Sequence, residues 1–195
     1  MRKKKHLILL WILSLVLLST AAVPVFAEAE LPKTDCEAAI LIDAQSGRVL
    51  YEKDADRAVQ PASLTKMMTA LLVVESMNLD DTVTITTEAA SIGGNAIQLK
   101  EGEQLTVRQL LNALLVYSAN DAAVALGMNH THYLSPNGLI ESEKHITTAR
   151  DISIITRKVL QNQELAAIVK KTRYTVPATN KGRPRPRRPD RKSVV

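Results

Sequence analysis

Apolar and polar positions alternate along the chain in segments short enough to be single elements. Ala38-Ala39-Ile40-Leu41-Ile42 is an apolar run with β-branched residues, which predicts a buried strand. Asp43 to Gly47 supplies turn chemistry, and Arg48-Val49-Leu50-Tyr51-Glu52 follows as a second strand, so the two form a hairpin. A polar loop from Lys53 to Gln60 leads to Pro61, and from Ser63 the residues favour a helix running to about Met77. Asn78 to Asp81 ends that helix, and Thr82 to Thr86 alternates as a brief strand. Gly93-Gly94 marks a place where backbone turns or approaches something closely. Thr106 can cap a helix whose Leu110, Leu111, Leu114 and Leu115 recur at helical spacing. Tyr117 to Asp121 is a polar break before the small apolar run Ala122 to Leu126. Leu134 to Leu139 is turn-rich. Thr148 with Asp151 forms a capping box for a helix that turns Ile152, Ile155 and Val159 inward. Arg173 to Val176 starts a strand that Pro177 stops. Beyond Gly182, Arg and Pro alternate, and the expectation is a disordered tail with no ladder.

With 195 residues the chain has room for one domain with a real core. Aromatic residues are scarce, so that core should be aliphatic. The net charge of +5 is uneven. Four basic residues fall in 1–27, and six basic residues and one acid fall in 182–195. Residues 28–181 are left with 15 basic and 19 acidic side chains, about −4. That mildly acidic region argues against a nucleic-acid-binding surface. Residues 1–27 read as a signal peptide: Arg2 to Lys5 is basic, Leu7 to Leu18 is apolar, and Val25-Phe26-Ala27 suits a cleavage site. The chain is therefore expected to act outside the cytoplasmic membrane, touching it only if that segment stays uncleaved. Cys36 is alone and makes no internal disulfide, and His130 and His132 lack the further ligands of a metal site.

The candidate chemistry lies at Ser63 and Lys66. Three residues apart on a helix, they share a face, and a lysine of lowered pKa can take the proton of a serine nucleophile. Backbone N–H groups at a helix N-terminus can also face a developing oxyanion. Such a pair also recurs by chance on solvated helices, and spacing alone favours that reading. Ser118 and Asn120 can likewise be no more than helix-capping residues, or can point into a cleft from a turn between two buried helices.

Several of these segments together resemble the serine D-alanyl-D-alanine carboxypeptidase family, the low-molecular-weight penicillin-binding proteins. Ala39 to Asp43 with Gly47 to Tyr51 is similar to the family's opening hairpin, Pro61 to Thr69 to its nucleophile helix, and Ser118 to Ala122 to its second motif. Thr131 to Leu139, His145, Thr148 to Asp151, and Tyr174 to Asn180 continue the likeness, which covers roughly residues 37–181. The resemblance implies an α/β (α+β) class, with the serine β-lactamase/penicillin-binding-protein-like transpeptidase fold: an antiparallel sheet packed with helices, here incomplete. It implies that Ser63 attacks a peptide ending in D-Ala-D-Ala and forms an acyl-enzyme. Lys66 takes the Ser63 proton, Ser118 relays a proton to the leaving D-alanine, and Asn120 holds substrate and orients Lys66. It implies peptidoglycan stem peptides as substrate, β-lactams as covalent inhibitors, and no metal or other cofactor.

The sequence departs from the family pattern in two places. The third motif, Lys-Thr-Gly, is missing; Lys171-Thr172-Arg173 lies before the Tyr174 segment rather than after it and is not a match. Leu126 also joins Gly127-Met128 without an intervening helical stretch. These departures and the Arg/Pro tail give the expectation of a truncated or frameshifted member, organised as a signal peptide (1–27), a partial catalytic domain (28–181) and a basic tail (182–195). A non-catalytic remnant that binds peptidoglycan weakly remains an alternative. A class A β-lactamase is a lesser one, because no segment supplies its Glu-based deacylation site.

Overall fold

The structure, a computed structural model, describes residues 34–126, 135–138 and 144–187. Residues 1–27, for which a signal peptide is expected, His130, His132, the Leu126–Gly127 junction and the far end of the tail lie outside the described residues.

The chain opens with the expected hairpin, but its first strand is not the buried one expected: Leu41 is exposed, and so are Val49 and Leu50 on the partner strand. Strand β1 (Ala39–Ile42) pairs antiparallel with β2 (Val49–Lys53), with a bulge between Leu41 and Ile42. The turn between them is closed by Ser46, whose N–H and hydroxyl both donate to Asp43 Oδ1 (2.7 and 2.5 Å). After Pro61 the backbone does not enter an α-helix at once. Ala62–Leu64 is a single 3-10 turn, and helix α1 runs Thr65–Ser76. Strand β3 (Thr82–Thr84) is shorter than the alternating pattern suggests, because Thr86 instead caps a short helix α2 (Thr87–Ser91), accepting from the Ala89 N–H at 3.2 Å.

Strand β4 (Gln104–Thr106) pairs antiparallel with β3 and runs directly into helix α3 (Val107–Tyr117). Thr106 caps α3 as expected, and Gln109 completes a reciprocal box: Thr106 Oγ1 accepts from the Gln109 N–H at 3.2 Å, while Gln109 Oε1 accepts from the Thr106 N–H at 2.8 Å. Thr106→Ala removes one half of this box and is expected to cost about 1 kcal/mol, read as a lowered denaturation midpoint. Leu110, Leu111 and Leu114 are fully buried, each contributing roughly 1.5–3 kcal/mol by leaving water. α3 is thus the central helix, touched by α1, by α4 (Asn120–Ala125), by α6 (Gln163–Val169) and by β5 (Tyr174–Val176).

Helix α5 (Ala149–Gln161) lies against α1 and β1, with Val159 buried. Thr148 caps it, accepting from the Asp151 N–H at 3.0 Å. Among the described residues the three ladders are antiparallel and two-stranded. Among the described residues no helix is long and apolar enough to cross a membrane.

The start of the tail corrects the expectation that nothing past Gly182 pairs. Strand β6 (Arg185–Arg187) returns antiparallel along β5, after a bridge between Thr179 and Gly182. Each strand of a two-stranded ladder has an open edge, the setting in which a sheet tolerates proline. The Arg185 side chain is also held by the buried Glu103 (Nη2 to Oε1 2.5 Å), a tertiary partner that no local propensity reports.

Candidate active site

Two separated segments meet at one amine. The turn Ala62–Leu64 and the first turn of α1 stack Ser63 above Lys66, and Lys66 Nζ lies 3.1 Å from Ser63 Oγ. The α3–α4 junction brings in the other partners: Lys66 Nζ lies 3.1 Å from Ser118 Oγ and 2.9 Å from Asn120 Oδ1. Ser63, Lys66, Ser118 and Asn120 therefore form one cluster, although 52 and 54 positions separate Lys66 from Ser118 and Asn120.

Backbone shape sets these positions. Ser118 ends α3 in the left-handed region (φ 54°, ψ 37°), which costs a residue with a Cβ about 1–2 kcal/mol. The loop after α2 holds it there, since the Asn95 side-chain amide donates to the carbonyls of Tyr117 and Ser118. The same loop fixes Asn120. The Asn120 N–H donates to the Asn95 carbonyl (2.7 Å) and Asn120 Nδ2 donates to the Gly93 carbonyl (3.1 Å). With its amide nitrogen engaged that way, Asn120 presents its oxygen to Lys66. A Cβ on Gly94 would stand 3.0 Å from Asn120 Nδ2, so the close approach expected at the glycine pair is an approach to this residue. The buried Asp121 ties the loop to α4, accepting from the N–H groups of Ile97 (3.1 Å) and Leu99 (3.0 Å).

The nucleophile turn has its own support. Ala62 is left-handed (φ 44°), and Gly138 (φ 77°) lies directly against its carbonyl. Thr69 Oγ1 donates to the Pro136 carbonyl (2.9 Å), and Thr65 Oγ1 lies 3.1 Å from the Nε2 of the buried His145. Sequence reasoning placed Pro136 to Gly138 in a turn without showing that the turn props Ser63.

Electrostatically the site is unusual at one group. Lys66 is only 2 % exposed, and burial lowers its pKa from 10.5 to about 8. Close to neutral pH, part of the population therefore carries a free lone pair between two hydroxyls at equal distance. Such an amine can take a proton from one hydroxyl and supply one to the other with little side-chain movement.

Two features lie apart from this cluster. Lys171, from the rejected Lys-Thr-Arg match, donates to Asn112 Oδ1 (2.5 Å) on α3. A cavity of about 150 Å³ sits on the opposite face of α1, between Leu64, Met68, His145 and Ile155, and none of the four cluster residues lines it.

Known proteins resemble this chain in sequence and in fold. Residues 25–127 match the family described as D-alanyl-D-alanine carboxypeptidase. D-alanyl-D-alanine carboxypeptidase DacF of Bacillus subtilis is 31% identical over 182 residues, covering 77% of this chain and 46% of that protein. DacA of Escherichia coli is 33% identical over 164 residues, covering 67% of this chain and 40% of that protein. Among solved structures, D-alanyl-D-alanine carboxypeptidase DacD of Francisella tularensis superposes with a TM-score of 0.71 at 28% identity, over 80% of this chain and 45% of that one. A variant of a Streptomyces DD-transpeptidase gives 0.71 at 27% identity, over 80% of this chain and 74% of that one. The chain spans less than half the length of the two carboxypeptidases from Bacillus and Escherichia. Since the family match spans more than half of the residues, and the fold follows the same solved structures, the chain belongs to the D-alanyl-D-alanine carboxypeptidase family.

Proposed function

We propose that the chain is a serine-type D-Ala-D-Ala carboxypeptidase acting by way of an acyl-enzyme on Ser63. The observation that carries this reading is the threefold engagement of the Lys66 amine, by Ser63, Ser118 and Asn120 at 2.9–3.1 Å. Neutral Lys66 takes the Ser63 proton as the hydroxyl oxygen attacks the carbonyl between the two terminal D-alanines. The C–N bond breaks, Ser118 passes a proton to the departing amine, and water hydrolyses the ester. Asn120 fixes the amine and meets the substrate backbone.

The substrate is the stem peptide of peptidoglycan, and a β-lactam acylates the same hydroxyl because its strained amide imitates the scissile one. Residues 1–27 act as a signal peptide that sends the chain to the extracytoplasmic side, where such peptides lie.

The test is to incubate the purified chain with labelled penicillin and with a peptide ending in D-Ala-D-Ala. A covalent adduct and released D-alanine, both lost in Ser63→Ala, are expected. A folded chain that gives neither would leave the cluster as a non-catalytic remnant. Rapid hydrolysis of a chromogenic cephalosporin with no lasting adduct would point to a β-lactamase instead.

A further inference from the structure

Glu103 is a carboxylate with no exposed surface and no place in the chemistry above. Three groups meet it: the Lys100 N–H donates to Oε2 (2.9 Å), the Thr179 hydroxyl donates to Oε1 (2.6 Å), and Arg185 grips both oxygens, Nη2 to Oε1 at 2.5 Å and Nη1 to Oε2 at 3.3 Å. Burial pushes the carboxyl up, but these donors outweigh it and hold Glu103 below the usual carboxylate range. The carboxylate is therefore charged and matched at neutral pH. A buried carboxylate is costly unless its partners are well placed and its lone pairs are filled; here both Glu103 oxygens are filled, while the Arg185 side chain keeps 23% of its surface exposed and its buried Nε–H finds no partner among the described residues.

The same guanidinium reaches one residue further toward the site. Arg185 Nη1 donates to the carbonyl of Gln98 (3.0 Å), a residue in the left-handed region (φ 60°). Gln98 stands between Ile97 and Leu99, whose N–H groups bind Asp121. Three further contacts from the β5–β6 hairpin close on the adjoining turn. Asn180 Oδ1 accepts from the Gln104 N–H (2.9 Å), Asn180 Nδ2 donates to the Gly102 carbonyl (3.0 Å), and Lys181 Nζ donates to the Glu101 carbonyl (2.6 Å). The segment from Gly93 to Gln104 is thus anchored at one end on α4 and at the other on the returning hairpin. Two of its backbone carbonyls, those of Gly93 and Asn95, orient Asn120.

The geometry points to Arg185 as a positioning residue for the Ser63 reaction: through Glu103 and the Gln98 carbonyl it clamps the 93–104 segment that aims Asn120 at Lys66. Arg185 touches neither substrate nor the reacting atoms. The inference rests on the acyl-enzyme reading for its effect on rate, though not for its effect on the segment itself. A lysine cannot replace it fully, because one ammonium cannot bridge two carboxylate oxygens and a carbonyl as a planar fork does.

Two readouts on the full chain test this. Amide hydrogen exchange is compared for wild type, Arg185→Ala and Arg185→Lys. Arg185→Ala should exchange at least about tenfold faster at Ile97, Leu99 and Asn120, with α5 unchanged, and Arg185→Lys should fall between. The second readout is acylation by labelled penicillin in a double-mutant cycle with Asn120→Ala. Arg185→Ala alone should slow acylation roughly tenfold, short of the ~100-fold that a full ångström of misplacement can cost. In the Asn120→Ala background it should change the rate less than about twofold, since a residue acting through Asn120 has nothing left to act on. Unchanged exchange at the three amides overturns the proposal, and so does an undiminished rate effect without Asn120. If Arg185→Ala does not fold, Arg185→Lys takes its place in both measurements. If wild type forms no adduct, the acyl-enzyme reading fails, and the exchange result alone decides whether the clamp exists.

Discussion

Replacing Lys66 with methionine is expected to slow acylation of Ser63 by labelled penicillin about 10³-fold, within the range a positioned general base contributes. The substitution keeps an apolar stem of similar length inside the site and removes the one nitrogen shared by Ser63, Ser118 and Asn120. Wild-type acylation should rise with pH up to about 8, because only the neutral amine accepts a proton and burial has brought its pKa there. In Lys66→Met that rise should vanish. A rate reduced by less than tenfold, or an unaltered pH profile, would show that another group takes the proton. Stability carries the matching sign. The folded state releases the Lys66 proton at about 8 while the unfolded chain keeps it to 10.5, so the unfolded chain binds more protons between those values. The contribution of Lys66 to stability therefore improves as pH rises from 8 to 10.5.

Gly138→Ala is expected to be the most damaging single methyl group near the site. A Cβ at this position would lie 2.6 Å from the Ala62 carbonyl carbon, closer still to its oxygen, and 3.0 Å from Thr65 Oγ1. Neither backbone can yield easily. Gly138 has φ 77°, where L residues are strained, and Ala62 is itself left-handed at φ 44°. Moving Ala62 moves Ser63. Overpacking and the left-handed penalty together suggest a loss of about 2–4 kcal/mol, read from the denaturant midpoint, with slower acylation of whatever remains folded. Gly93→Ala is the control: a Cβ there meets nothing within 4 Å, and the expected loss is below about 1 kcal/mol. Equal losses from the two substitutions would refute the contact.

What could be read from the sequence follows the range of each interaction. The Ala39–Ile42 and Val49–Lys53 hairpin and the Thr106-capped helix are written locally, in turn residues and in spacing. The Ser63–Lys66 pair is legible because one helical turn defines it, although the 3-10 start of that turn is not. That Ser118 and Asn120 reach Lys66 was accessible only through likeness to a known family, because nothing local spans more than fifty residues. The carbonyls of Gly93 and Asn95 escaped altogether. Backbone acceptors have no side-chain signature, and Gly93-Gly94 marked a close approach without naming its partner. Helix α2, with five residues, and strand β4, with three, are too short for periodicity to show. The pairing of Arg185–Arg187 is not legible locally, because Arg-Pro repeats oppose a ladder and the anchor for that strand, Glu103, lies 82 positions away.

The contact between Tyr117 and Tyr174 determines which optical signal can follow this molecule. The Tyr117 hydroxyl donates to the Tyr174 carbonyl and accepts from its N–H, and the two rings lie 6.4 Å apart at 40°. The lone tryptophan, Trp11, and the lone phenylalanine, Phe26, both fall within the first 27 residues. In a chain beginning at Glu28, near-ultraviolet ellipticity would come from tyrosines alone, and half of the four would be this pair, clasped between α3 and β5. Loss of that band while far-ultraviolet ellipticity persists would therefore report the hairpin lifting from α3, not the melting of the helices.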